Sequence, residues 1–399
     1  MTLLFLYDDL GARGFEPFAL TRPCSELRAG AVVIRARWEH ALGASAAGFV
    51  AGDHLADFEE AGAPTFAGDV LPAGAIVANS RCVVALAAAD REVSAWSCGG
   101  RRAAIRLGQD VPRAQLADGR TTLESLPMAG GRQTEIGGRW LDEVWDLIRD
   151  LTPQLGEDIP ALASGLTVGA PPAHAVVLGP NPVHVEQGAT IEPFTVFDTS
   201  AGPVLVRRGS TVSAFTRVVG PCYVGEDSTV AGDKIANCSI GEVSRIHGEL
   251  STTIVLGHSN KAHDGFVGHS LLGRWVNLGA GTTTSNLKNT YGTVQLWTPK
   301  GVRDTGLQFF GTAFGDHVKT GIGLRLSTGT VLGAGANVYD AMPPKAVAPF
   351  AWGGGAPYDS YDAAKFVQVA AKAMARRHVT LGDKARRQLL RAHAVRWSA

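Results

Sequence analysis

Apolar residues in the middle of this chain recur every six positions. Val206, Val212, Val218, Val224 and Val230 follow one another at that step. The fourth residue after each of the first four is small or β-branched: Ser210, Thr216, Cys222 and Ser228. Lys234 departs from the pattern at the fifth. The same unit appears earlier at Val185, Ile191 and Phe197, with Ala189, Thr195 and Ala201. It returns at Ile240 and Ile246, at Leu272 and Leu278, and at Phe314, Thr320, Leu326, Leu332 and Val338. Such a period fits neither a helix nor a simple hairpin. It fits a parallel β-helix, in which three hexads make one coil. The first residue of each hexad fills the prism, and the small one packs near a corner. A chance run of valines in a β-sandwich does not account for equal steps that return in other blocks. Glycine agrees: 24 of the chain's 49 glycines fall in residues 185–340, where corners need unusual backbone angles.

Two stretches, 252–271 and 284–313, lose the clean period and are rich in His, Asn, Lys and Gly. Loops that leave a rigid coil are where a solenoid usually carries its site. Other classes are disfavoured. Lys+Arg and Asp+Glu number 37 each, so net charge gives no general attraction to nucleic acid or membrane. No apolar run approaches the ~18 residues of a spanning helix. MTLLFLYDDLGARG lacks a basic segment before its apolar stretch, so it does not read as a signal peptide. The five cysteines contain no C-x-x-C pair, which supports neither a zinc ribbon nor a disulfide framework. A cytoplasmic location is the expectation.

The expected order is an α/β domain over 1–160, a linker over 161–183, a left-handed parallel β-helix over 184–345, and a helical tail over 346–399. In the first part, 3–7, 75–79 and 82–86 read as strands, and 30–43 as a helix stopped by Gly43. Residues 139–155 read as an amphipathic helix with Leu141, Val144, Trp145 and Ile148 on its apolar stripe. The tail, 362–396, holds nine Lys/Arg against two Asp. It either binds phosphate or an acidic surface, or is a solvated face packing on its own trimer.

The run NKAHDGFVGHSLLGRWVNLGAGTTTSNLKNTYG (260–292), followed by FGDHVKTGIGLRLSTGTVLGAGANV (314–338), resembles the acetyltransferase domain of bifunctional N-acetylglucosamine-1-phosphate uridylyltransferase/glucosamine-1-phosphate acetyltransferases. It is especially similar to a divergent bacterial branch and to archaeal versions. EPFALTRPCSELRAGAVVIRARWE (16–39), IVANSRC (76–82) and VWDLIRD (144–150) resemble the sugar nucleotidyltransferase domain of that branch. The chain departs from the family in three places. Asp8-Asp9-Leu10-Gly11 stands where a G-x-G-T-R phosphate loop is usual, and Asn79 or Arg81 where an Asp would bind Mg²⁺. Leu271-Leu272 stands where related enzymes carry a Tyr after the site histidine.

The resemblance implies N-acetylation of glucosamine-1-phosphate by acetyl-CoA, uridylyl transfer from UTP, and a homotrimer. Acetyl transfer needs a base for the sugar amine and donors for the oxyanion. His269 matches the family's histidine, and Asn286 its asparagine beside the amine or acetyl group. Lys261, Lys288 and Tyr291 are candidates for the sugar phosphate. His263-Asp264 forms an orienting pair or a second base. Ala313, His317, Lys319 and Arg325 are expected along coenzyme A. In the first domain, Arg22, Arg28 and Asn79 are candidates for nucleotide or sugar phosphate. Asp8-Asp9 reads either as Mg²⁺ ligands or as a turn and cap. No Ser-His-Asp, H-E-x-x-H or Walker-A pattern is present.

Overall fold

The computed structural model describes residues 2–397; Met1 and the last two positions of the expected tail lie outside it. Contacts divide the chain into two units, Met1–Asp146 with Leu381–Val395, and Leu147–Thr380 with Arg396–Ala399.

The first unit is α/β. Leu4–Tyr7 (β1) pairs in parallel with Ala46–Val50 (β2) on one side and Ile76–Asn79 (β3) on the other. Ala95–Cys98 (β4), Arg101–Arg106 (β5) and Gln133–Glu135 (β6) complete the order β6-β4-β5-β3-β1-β2. All four residues of β1 and of β3 are buried, which is why both read as continuous apolar runs rather than alternating ones. The expected helix over 30–43 is shorter. Gly30 takes a positive φ between the paired segments Arg28–Ala29 and Val32–Val33, and the helix α1 spans Ile34–Leu42. Gly43, at φ 54°, receives it as a left-handed cap.

The expected helix over 139–155 is resolved differently. Gly138–Trp140 is a strand, Asp146–Arg149 is one helical turn, and Leu151–Ala163 (α2) continues beyond Pro160. Leu141, Val144, Trp145 and Ile148 are all buried, so the apolar stripe is real although no single helix carries it. Helix α2 packs on the strands Val204–Val206 and Cys222–Val224.

A parallel β-solenoid of about ten turns begins at residue 176. Its hexads stack coil on coil along three faces. On face one, Val185 lies over Val206, then Val224, Ile240, Val255, Leu272, Phe314, Leu332 and Val347. Face two stacks Ile191, Val212, Val230, Ile246 and Lys261. Face three stacks Phe197, Val218, Ile235, Leu250 and Val267. These apolar side chains form one continuous core. The small residues Ser210, Thr216, Cys222 and Ser228 are buried at the corners. Ser228 Oγ there donates to the Gly241 carbonyl of the next coil at 3.0 Å, because a hydroxyl fits where a larger group would clash.

The stretch 252–271 does not leave the coil. Its interior positions are Val255, Lys261 and Val267, still six apart, and a lysine in the middle hides the period. Within 284–313, residues 286–310 do leave it. They form a hairpin of Gln295–Thr298 against Gly301–Asp304, after which Phe314 stacks on Leu272 across 42 residues of sequence. Two helices follow. Ala363–Ala375 (α3) falls in the solenoid unit, and Asp383–Ala394 (α4) in the first unit, where Arg387 and Arg391 pair with Asp57.

Candidate functional site

The corner between faces three and one needs a left-handed residue on successive coils. Asn237, Thr252 and His269 supply it, at φ 54°, 46° and 47°. The backbone of His269 is therefore a corner shared with its neighbours, and only its side chain is special. The loop leaves the coil at this corner and returns to it, because Phe310 N–H donates to the Asn286 carbonyl and Gly311 N–H to that of His269. This brings Asn286 Nδ2 to 2.8 Å from His269 Nδ1, and stacks Phe309 on the imidazole with ring centroids 5.1 Å apart. Gly268 makes the approach possible. A Cβ there would stand 2.8 Å from the Asn286 amide and closer still to Phe266.

Burial holds the His269 pKa down at about 4, so the ring is neutral at pH 7, the form that accepts a proton. With the amide nitrogen of Asn286 toward Nδ1, the ring proton sits on Nε2. A half-turn of the amide brings Oδ1 to Nδ1, moves the proton there and frees Nε2 as the base. Lys288, half-buried on the same loop, lies near Asp304 and Lys345: its charge lowers the pKa of both, after burial in the case of Lys345 and after hydrogen bonds in that of Asp304. Tyr291 is exposed in this loop. His263 is exposed, as is Asp264.

Lys261 has a different role from the one expected. It occupies an interior position of face two and is 2% exposed. Its ammonium donates to the carbonyls of His247 at 2.9 Å and Asp264 at 3.0 Å, and to that of His263. Nothing of it is left for a sugar phosphate. The four residues expected along coenzyme A are not brought together. Ala313 is buried on face one, His317 stands at the corner between faces one and two, and Lys319 points outward from face two. Arg325 is exposed on face three. Hexads spaced by six send neighbouring segments to different sides of the prism, so closeness in sequence does not make a site here.

In the first unit, a crevice of about 610 Å³ opens at the carboxyl ends of β1 and β3, where open α/β sheets usually bind ligands. Asp9, Gly11, Asn79, Arg81, Arg101 and Arg120 line it, with Trp140. Arg101 lies over the Trp140 ring at 4.1 Å. The Asp9 carboxylate is taken on both oxygens by Arg81, at 2.6 and 2.7 Å, and also by Asn79 and the Ala12 N–H. Burial opposes its charge, but the Arg81 contacts outweigh that and hold its pKa below the usual range. Asp8 turns into the core, where Cys24 N–H donates to it, and burial raises its pKa to about 6. Two carboxylates engaged in this way do not fit Mg²⁺, and no group of three metal-ligating side chains occurs among the described residues. Arg22 is buried against Glu60 at 3.0 Å, and Arg28 is buried and donates to the Ala31 carbonyl. Both serve the packing of this unit rather than the crevice. Asn79 does line the crevice. The arginines there, at 101 and 120, carried no motif that would have singled them out.

Residues 4–167 match the model of the sugar nucleotidyl transferase family. Over 88 residues the chain is 34% identical to a bifunctional sugar-1-phosphate nucleotidylyltransferase/acetyltransferase of Sulfurisphaera tokodaii. That alignment spans 22% of this chain and 22% of the relative. Together with the β-solenoid, these likenesses support a transferase. No helix among the described residues is long and apolar enough to cross a membrane.

Proposed function

We propose that this chain makes an activated amino sugar: its solenoid transfers an acetyl group from acetyl-CoA to the amine of a sugar-1-phosphate such as glucosamine-1-phosphate. The observation that carries this reading is the His269–Asn286 pair at 2.8 Å, set at the corner where the coil's loop leaves and returns. His269 Nε2 takes a proton as the amine nitrogen attacks the thioester carbonyl. The tetrahedral oxyanion collapses, the C–S bond breaks, and the thiolate leaves with that proton as the free thiol. Lys288 and Lys345 supply positive charge near the loop for the sugar phosphate. The first domain binds the phosphate and base of a nucleotide, UTP favoured, among Arg81, Arg101 and Arg120, and a homotrimer is the expected assembly.

A second reading has one activity only, acetyl transfer, with a first domain that binds nucleotide but does not join it to the sugar. The sequestration of Asp9 by Arg81 favours it. Two assays separate these readings. Thiol release is followed with glucosamine-1-phosphate and acetyl-CoA, and diphosphate release with N-acetylglucosamine-1-phosphate, UTP and Mg²⁺. His269→Ala should lower the first rate by roughly 10²–10⁴-fold. Should His269→Ala retain the rate while His263→Ala loses it, the base is His263. Thiol release at background in the wild-type protein sinks the acetyl-transfer reading.

A further inference from the structure

A cavity of about 220 Å³ lies within the solenoid unit, between the outer side of face two and the end of α3. Its floor is a ladder of outward residues from successive coils, Arg245, Asn260, Asn277 and Lys319. Its wall is Arg376 and Arg377, just beyond the last turn of α3. None of the lining residues is acidic. Arg245, Lys319, Arg376 and Arg377 have no ion-pair partner among the described residues. The nearby Glu242 is committed to Arg274. The carboxyl end of α3 contributes roughly half a negative charge, which does not balance four cations.

Like charges gathered in a half-closed space repel one another, and a fold gains nothing by collecting them unless an anion completes the set. Burial, with Arg245 and Arg376 beside it, pulls the pKa of Arg377 down, and burial lowers that of Lys319 to about 8. The Arg377 shift records the positive charge crowded around it, and that of Lys319 records burial alone. The Asn260 amide donates to Asn277 Oδ1 at 3.0 Å, which leaves the Asn277 amide nitrogen as a further donor on the floor. Three forked guanidiniums suit phosphate oxygens. The volume is below the ~300–1,000 Å³ of a site that encloses a drug-sized ligand, so it takes a head group rather than a whole nucleotide.

We infer that the groove between α3 and face two is a binding site for a phosphate or diphosphate group, closed on one side by the basic tail. The inference is independent of acetyl transfer, because binding alone is read. The full-length protein is titrated with inorganic diphosphate by calorimetry and by melting temperature, at low salt and at 0.3 M salt. Diphosphate should bind and raise the melting temperature, with weaker binding at high salt. Arg377→Gln and Arg245→Gln should each weaken binding at least tenfold, while melting no lower than wild type without ligand, since each relieves repulsion. ADP in place of diphosphate tells a head group from a free anion: ADP binding that both variants lose assigns the site to a nucleotide's phosphates, and diphosphate binding alone assigns it to the free ion. No binding at millimolar diphosphate overturns the inference. So does binding that neither variant changes, or a lower melting temperature in both ligand-free variants, which makes the arginines structural.

Discussion

Each unit buries an ionisable side chain, and the two respond to pH in opposite directions. Asp8 lies 3% exposed at the end of β1 and keeps its proton up to a pKa of about 6. Lys261 lies inside the solenoid and loses its proton at about 8, because burial outweighs the attraction of Asp264 and Asp233. Between about pH 4 and 6 the folded protein holds a proton on Asp8 that the unfolded chain has released, so stability falls as pH rises through that window. Between about pH 8 and 10.5 the unfolded chain holds a proton on Lys261 that the folded protein has lost, so stability rises with pH there. Near neutrality both groups are charged, and each opposes folding. A sheet end and a prism interior desolvate charge alike, and the sign of the group decides which flank of the pH scale relieves it.

Three substitutions act on this contrast. Asp8→Asn keeps an acceptor for the Cys24 N–H and removes the charge. Stability at pH 7 should rise by up to about 3 kcal/mol, the value of two pKa units, and the decline between pH 4 and 6 should vanish from denaturant titrations. A variant less stable than wild type at pH 7 would refute this. Asp9→Asn is the control with a surface-facing partner, since it breaks the paired grip of Arg81. Its carboxyl pKa is depressed, so the stability it contributes is present above its unfolded pKa and lost as pH falls through the folded one. The variant should lose about 1–3 kcal/mol at pH 7 and converge on wild type in acid. Lys261→Met has the smallest net effect. It removes a buried charge and strands three carbonyls, two terms of similar size and opposite sign, so a change within about 2 kcal/mol is expected at pH 7. Its diagnostic is the slope: the gain in stability between pH 8 and 10.5 should disappear.

Sequence periodicity revealed the solenoid because each hexad repeats one physical demand, an apolar residue inside and a small one at the corner. It failed at 252–271 because Lys261 satisfies that demand by an unusual route, handing its ammonium to three backbone carbonyls. His269 and Asn286 were legible as a motif, yet Phe309, which completes their corner, was not, since loop closure rather than spacing brings it there. The arginines that meet Arg245 come from beyond residue 375. A helix's basic composition predicts charge on its surface but not the surface it will cover. Asp8 and Asp9 looked equivalent as neighbours, but just past the end of β1 one turns into the core and the other into the grip of Arg81.

The excursion from Asn286 to Phe310 is tied at its base by one backbone hydrogen bond of 3.0 Å, while the coils on either side stack as though nothing had been inserted. Its two ends are thus already side by side before any loop residue is chosen. Lengthening a loop with fixed, adjacent ends carries only a slowly growing entropic penalty. The prism therefore behaves like a socket. Hairpins of other lengths and compositions can be seated between Asn286 and Phe310 while the hydrophobic stack stays the same.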